Sequence, residues 1–156
     1  MATSTLIQFL GDGITSPSGT EANTSNRRQV ETFISGAAIV AGDVVMLDTT
    51  KTGADRALYI KQASAVATGN PLAIGVALDA AAAAGEQVRV VVAGYVEGVN
   101  CSAAGATAVG KPLVAGTVAG EVEEANTTDT SGLFGVALEP FGGATNSVAI
   151  HIFKRF

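Results

Sequence analysis

A chain of 156 residues is long enough for one domain with a real core and an appendage. Nine basic against fourteen acidic side chains leave a net charge of -5, which argues against direct binding to DNA or RNA, because that affinity comes from neutralising phosphates. Hydrophobic residues make up 47% but aromatics only 5%, with no tryptophan; a core of Ala, Val and Gly is thin, and predicts help from oligomerisation or from docking onto a partner. The single cysteine, Cys101, excludes an intrachain disulfide framework. No stretch approaches the length of a transmembrane helix, and the start has no basic region followed by a long apolar block. A soluble protein made in a cytosol, with no membrane partner, is the expectation.

Residues 1–30 are rich in Thr, Ser, Asn and Gly and cannot bury enough apolar surface to order alone. They carry one apolar cluster, Leu6-Ile7-Gln8-Phe9-Leu10. A polar arm with an apolar anchor predicts a segment that orders on another chain, for instance by β-strand addition. Arg27-Arg28 ends the arm, either as a solvated pair or as a contact to an acidic partner surface. Leu6, Ile7, Phe9, Leu10, Arg27 and Arg28 are thus the candidate partner-binding residues.

The β body is expected over 31–156, with alternation already beginning at Gln29-Val30-Glu31-Thr32-Phe33-Ile34. Ala41-Gly42-Asp43 is a turn signal that hands over to Val44-Val45-Met46-Leu47. A polar loop over 49–55 leads to a strand over 57–63, and Thr68-Gly69-Asn70-Pro71 is another turn. Then comes Ile74-Gly75-Val76-Ala77-Leu78-Asp79, and after an Ala/Gly-rich gap Val88-Arg89-Val90-Val91-Val92. This reads as a β-hairpin, with 79–85 as a one-turn helix or a loop. Ala93-Gly94-Tyr95-Val96 continues the sheet through a glycine bend, and 100–108 is a small-residue connector.

The order then returns. Val109-Gly110-Lys111-Pro112-Leu113-Val114 resembles Ala41-Gly42-Asp43-Val44-Val45-Met46, and Glu121-Val122-Glu123-Glu124-Ala125 resembles Tyr59-Ile60-Lys61-Gln62-Ala63. Phe134-Gly135-Val136-Ala137-Leu138-Glu139 and Val148-Ala149-Ile150-His151-Ile152 repeat the hairpin 60 positions on. Self-similarity of this kind constrains architecture before any local reading. The predicted fold is all-β: a compact barrel or sandwich of two similar β units, about 36–98 and 104–156, with an extended N-terminal arm. Gly75 and Gly135 sit at matched points inside strands, which predicts a bulge or a close backbone approach.

No catalytic constellation stands out. His151 is the one histidine, without a second His, a nearby Cys or a carboxylate cluster to make a metal set, and Gly-x-Ser-x-Gly is absent. Neither a dinucleotide fingerprint nor a phosphate loop occurs. No catalytic residue, cofactor or metal is expected. Glu121, Glu123 and Glu124 read as a charged sheet edge. Phe153-Lys154-Arg155-Phe156 places two cations near a rim.

The order Ala-Gly-Asp-Val-Val, polar loop, Ile-Gly-Val-Ala-Leu-Asp, Ala/Gly gap with Gly85-Glu86, Val-Arg-Val-Val-Val-Ala-Gly-Tyr-Val is similar to the capsid decoration (cement) proteins of tailed bacteriophages, over about residues 36–156. The resemblance implies a structural, non-enzymatic virion protein on the outer capsid surface. It also implies homotrimers and an N-terminal arm that pairs with the major capsid protein. Two competing readings are a virion-surface or secreted β domain that binds host glycan through Tyr59, Tyr95 and exposed Phe, and a trimeric all-β hydrolase leaning on His151 and Asp79.

Overall fold

The computed structural model describes residues 28–64, 70–102, 107–126, 132–143 and 146–153. The strands are β1 (Gln29–Ser35), β2 (Val44–Leu47), β3 (Tyr59–Gln62), β4 (Ala73–Ala77), β5 (Gln87–Asn100), β6 (Pro112–Ala115), β7 (Val122–Glu124), β8 (Gly135–Ala137) and β9 (Ser147–Ile152). Among the described residues the helical content is one 3-10 turn, Gly53–Ala57, inside the polar loop before β3. The five alanines 80–84 form no helix, because Ala81 is bridged to Ile39 and Gly85 turns the chain back at φ 96°. The fold is all-β, as expected.

The strands follow the order β1-β3-β2-β4-β5-β9-β8-β6-β7, with a further β1–β5 pairing. That pairing closes the first five strands into a barrel, which removes their free edges. The second set, β5-β9-β8-β6-β7, is drawn round by one parallel bridge between Cys101 and Val122. β5 belongs to both sets: its first half pairs with β1 and β4, its second half with β9. Gly94, at φ 94°, bends it between the two duties, and Gly98, at φ 69°, lies in the register shift between Val96 and Val99 within the β9 pairing.

The pairings of the two sets match. Val44 faces Val76 and Val45 faces Gly75, as Pro112 faces Val136 and Leu113 faces Gly135. Val45, Met46 and Leu47 face Gln62, Lys61 and Ile60, as Leu113, Val114 and Ala115 face Glu124, Glu123 and Val122. Val76 and Ala77 face Val91 and Val90, as Val136 and Ala137 face His151 and Ile150. Even the isolated bridges correspond, Ile39–Ala81 with Thr107–Phe141. β5 beyond Gly94 therefore serves the second set as β1 serves the first: Tyr95 faces His151 as Val30 faces Val91.

Two motif positions now have causes. A Cβ on Gly75 would lie 2.1 Å from the Val91 carbonyl oxygen, and one on Gly135 2.8 Å from that of His151. Both glycines let the facing strand come close, as their placement predicted. The acid that ends each motif holds the returning strand: Arg89 N donates to Asp79 Oδ2 at 3.1 Å, and Ala149 N to Glu139 Oε2 at 3.3 Å. Asp79 also pairs with the Arg89 guanidinium at 2.7 Å. Hydrogen bonds from the Arg89 side chain and backbone N–H hold its carboxyl down at about 2.

Burial follows the two sets. Val45, Ile60, Ile74, Ala77, Val88 and Val90 fill the first barrel. Leu113, Val122, Phe134, Ala137, Val148 and Ile150 fill the second set, and Val44, Met46, Val76 and Val91 join that cluster from outside the first barrel. The first barrel thus turns one sheet face inward and one toward its neighbour, and every residue of β4 is buried. This is why β4 reads as a continuous apolar run rather than an alternating one. Fully burying one valine contributes roughly 1.5–3 kcal/mol.

At that junction Asp43 is 4% exposed. Its carboxylate accepts from Val40 N at 2.7 Å, Gln62 Nε2 at 2.7 Å and Asn100 Nδ2 at 2.9 Å. Three donors are what a buried carboxylate needs to offset its lost hydration. Gly120 reaches over it from the second set, exchanging backbone bonds with Val44 (2.7 Å) and Ala63 (2.8 Å). A Cβ at Gly120 would meet Asp43 Oδ1 at 2.6 Å.

Candidate interaction surface

Of the candidate partner-binding residues, Leu6, Ile7, Phe9, Leu10 and Arg27 lie outside the described residues. Arg28 is exposed, immediately before β1. Gln29 faces Ala93, and Gly94 faces Ile152. The root of the leading segment therefore lies beside the end of β9, close to exposed Phe153.

The groups an enzyme would draw on are scattered. His151 is exposed on β9, its ring 6.3 Å from that of Phe153, whereas Asp79 is tied to Arg89. No three His, Cys, Asp or Glu residues gather as a metal set among the described residues. Cys101 is buried, and burial, with the nearby Glu121 charge, pushes its thiol up. Asp48 is a loop anchor. Burial opposes its ionisation, yet hydrogen bonds from Thr50 and Lys61 outweigh it and lower its pKa. Tyr59 lies under Lys51 Nζ, 4.5 Å from the ring centroid. The Tyr95 hydroxyl donates to Glu97 and is pushed up to about 12.

What the fold does offer is surface. In the first barrel a cross-strand row runs Val30–Val91–Val76–Val44, and its last three members are fully buried. The matching row of the second set runs Tyr95–His151–Val136–Pro112. Pro112 and His151 are exposed, and Tyr95 and Val136 half-buried. Directly opposed residues share a face, so this row marks one open sheet face. Leu138, 40% exposed, is its counterpart of Leu78, which packs on the core. Leu133 (38%) and Phe153 (46%) stand at the other side. Lys111, the counterpart of buried Asp43, is exposed and pairs with Glu124 at 2.8 Å. Sequence reasoning missed this face. The available signal was a histidine and a proline where the first copy has valines.

A second surface feature comes from unequal connections. The link 48–58 between β2 and β3 is far longer than its counterpart 116–121. It is held by Asp48, which accepts from Thr50 N at 3.1 Å and pairs with Lys61 at 3.3 Å. Residues 52–58 are all exposed. A cleft of about 320 Å³ lies beside it, lined by Leu47, Asp48, Thr49, Arg56 and Leu72.

The described body gathers no metal set, and its outside carries exposed apolar and charged side chains. The chain belongs to the phage cement protein family, whose model matches residues 32–152. It is accordingly a capsid-associated structural protein of a bacteriophage, and family membership suggests a non-enzymatic role. No curated protein matches the chain. A solved structure of similar fold is the N base of head fiber gp8.5 of bacteriophage phi29, with TM-score 0.57 and 19% identity, covering 81% of this chain and 95% of that one.

Proposed function

We propose that the protein binds the major capsid protein on the outer surface of the phage head, stabilises the shell there, and works as a homotrimer. The supporting observation is family membership together with a body that presents contact surface rather than a reactive site. Residues 1–30 act as the arm, with Leu6, Ile7, Phe9 and Leu10 as apolar anchor and Arg27 and Arg28 at its root. Repetition over a symmetric shell makes weak contacts strong by avidity, and the acidic net charge keeps unbound copies soluble.

Co-sedimentation with shells lacking this protein tests the reading. The wild-type chain is expected to bind saturably and to raise the temperature at which shells break. The full chain carrying Leu6→Asp and Phe9→Asp is expected to bind at least tenfold more weakly while melting like wild type. Wild-type protein left in the supernatant would refute shell attachment. Equal binding by the variant would refute the arm.

A further inference from the structure

The two sets show the same sheet face in opposite conditions. In the first barrel it is covered, with Val44, Val76 and Val91 fully buried in the cluster shared with the second set. In the second set it is open. Tyr95 faces His151, His151 faces Val136, and Val136 faces Pro112. The His151 and Phe153 rings lie 6.3 Å apart, and Phe153 and Leu138 are both exposed. Apolar groups gathered in this way mark a contact site.

The chain itself delivers an occupant to one corner of that face. Gln29 faces Ala93, and Ile152 faces the next β5 residue, Gly94, so the leading segment enters the body beside Phe153. From that corner β5, β9, β8 and β6 lie side by side, a width of three strand spacings or about 14 Å. Ahead of Arg28 the sequence runs through residues 11–27, mostly Gly, Ser, Thr and Asn, back to the apolar cluster Leu6-Ile7-Gln8-Phe9-Leu10. A linker of that length and composition has a root-mean-square reach of about 20–25 Å, enough to carry the cluster across the whole face. A tether with reach comparable to its span holds its end at a local concentration on the order of millimolar. A second copy in dilute solution offers its own cluster far less often. Charge does not enter this choice, since the face is bordered by both signs, Glu139 and Lys111.

We infer that Leu6, Ile7, Phe9 and Leu10 seat on the open face of their own chain while the protein is free of the shell. This rests on the proposed arm: one apolar anchor is held first on the body and then on the capsid protein. Attachment therefore exchanges one apolar seat for another. The net gain per copy is small, and repetition over the shell supplies the strength.

Paramagnetic broadening in the full-length chain tests this without shells, so its failure and a failure of capsid attachment are told apart. A spin label is placed at Thr5→Cys, beside the cluster; buried Cys101 is shielded from the reagent. Amide signals of 133–138 and 151–153 are expected to lose most of their intensity, while those of 52–58 on the first barrel stay sharp. Adding Leu6→Asp and Phe9→Asp to the labelled chain should restore the face signals, as should Val136→Glu with Leu138→Glu. Spin-labelled chain mixed with isotope-labelled chain that carries no spin label should leave the latter's face signals unchanged. Sharp face signals in the labelled chain, or equal broadening at the face and at 52–58, would overturn the inference. So would broadening that survives both pairs of substitutions, or broadening passed to the second chain in the mixture, which would make another copy the occupant.

Discussion

Gly75→Ala is the sharpest probe of how the repeated hairpin is built. The added Cβ would lie 2.1 Å from the Val91 carbonyl oxygen and 2.8 Å from Val90 Cγ1. The first distance is more than an ångström inside ordinary contact, and the obstacle is backbone, which cannot rotate away. Relief requires β4 to part from β5 where Val76 faces Val91 and Ala77 faces Val90. Overpacking of a buried site costs about 1–3 kcal/mol, and this site belongs at or above the upper end. Relief from the unfolded-chain entropy of glycine returns only about 0.4–1 kcal/mol. The net cost is thus about 2–2.6 kcal/mol; for a protein of this size about 1 kcal/mol moves the melting temperature by about 2–4 °C, so a drop on the order of 4–10 °C is expected. Gly135→Ala meets its carbonyl at 2.8 Å, and should cost about 1–2 kcal/mol. Calorimetry or circular dichroism on both variants decides the matter. Melting within two degrees of wild type for Gly75→Ala, or a greater loss for Gly135→Ala, would refute the steric reasoning.

Three further outcomes follow from named contacts. Asp43→Ala strands three donors, Val40 N, Gln62 Nε2 and Asn100 Nδ2, beneath the second set. An unsatisfied buried group costs about 1–3 kcal/mol, and since these donors are only partly buried, with Val40 itself exposed, denaturant unfolding should show a loss of about 1–3 kcal/mol, and Lys111→Ala less than about 1. Asp79 has a folded pKa of about 2 against an ordinary 3.8. Its contribution is therefore complete above pH 3.8 and lost as the pH falls through 2. Asp79→Asn should melt lower than wild type at pH 6, and the gap should narrow as the pH falls from 3.8 through 2; a gap that widens on acidification would contradict the sign. The buried Cys101 thiol, pushed up by burial, should react with a thiol reagent at pH 8 at least a hundredfold more slowly in the folded protein than in denaturant, as absorbance at the released chromophore will show.

Much of the hairpin geometry was legible because it is local. Gly-Val-Ala-Leu followed by an acid states a strand, its close approach and the carboxylate that holds the returning strand, and it does so twice. The tie between copies was visible in spacing alone. Closure of the first barrel was not, because Val30 carries no mark saying that it faces Val91 across the body. The double duty of β5 was hidden for a similar reason: Ala93-Gly94-Tyr95 reads as a bend, and only long-range pairing shows that a new set begins there. Asp43 looked like a turn residue, which it is, since Val40 N bonds its carboxylate. Its burial comes from Gly120, far along the chain. The open face escaped notice since its aromatic and apolar members are separated in sequence by most of the second unit.

Cryo-electron microscopy of virions with and without this protein tests the central claim most directly. The account predicts density for two adjoining β bodies per copy on the outer surface of the head, contacting the major capsid protein and missing from virions that lack the chain. Identical outer surfaces in the two reconstructions would contradict it.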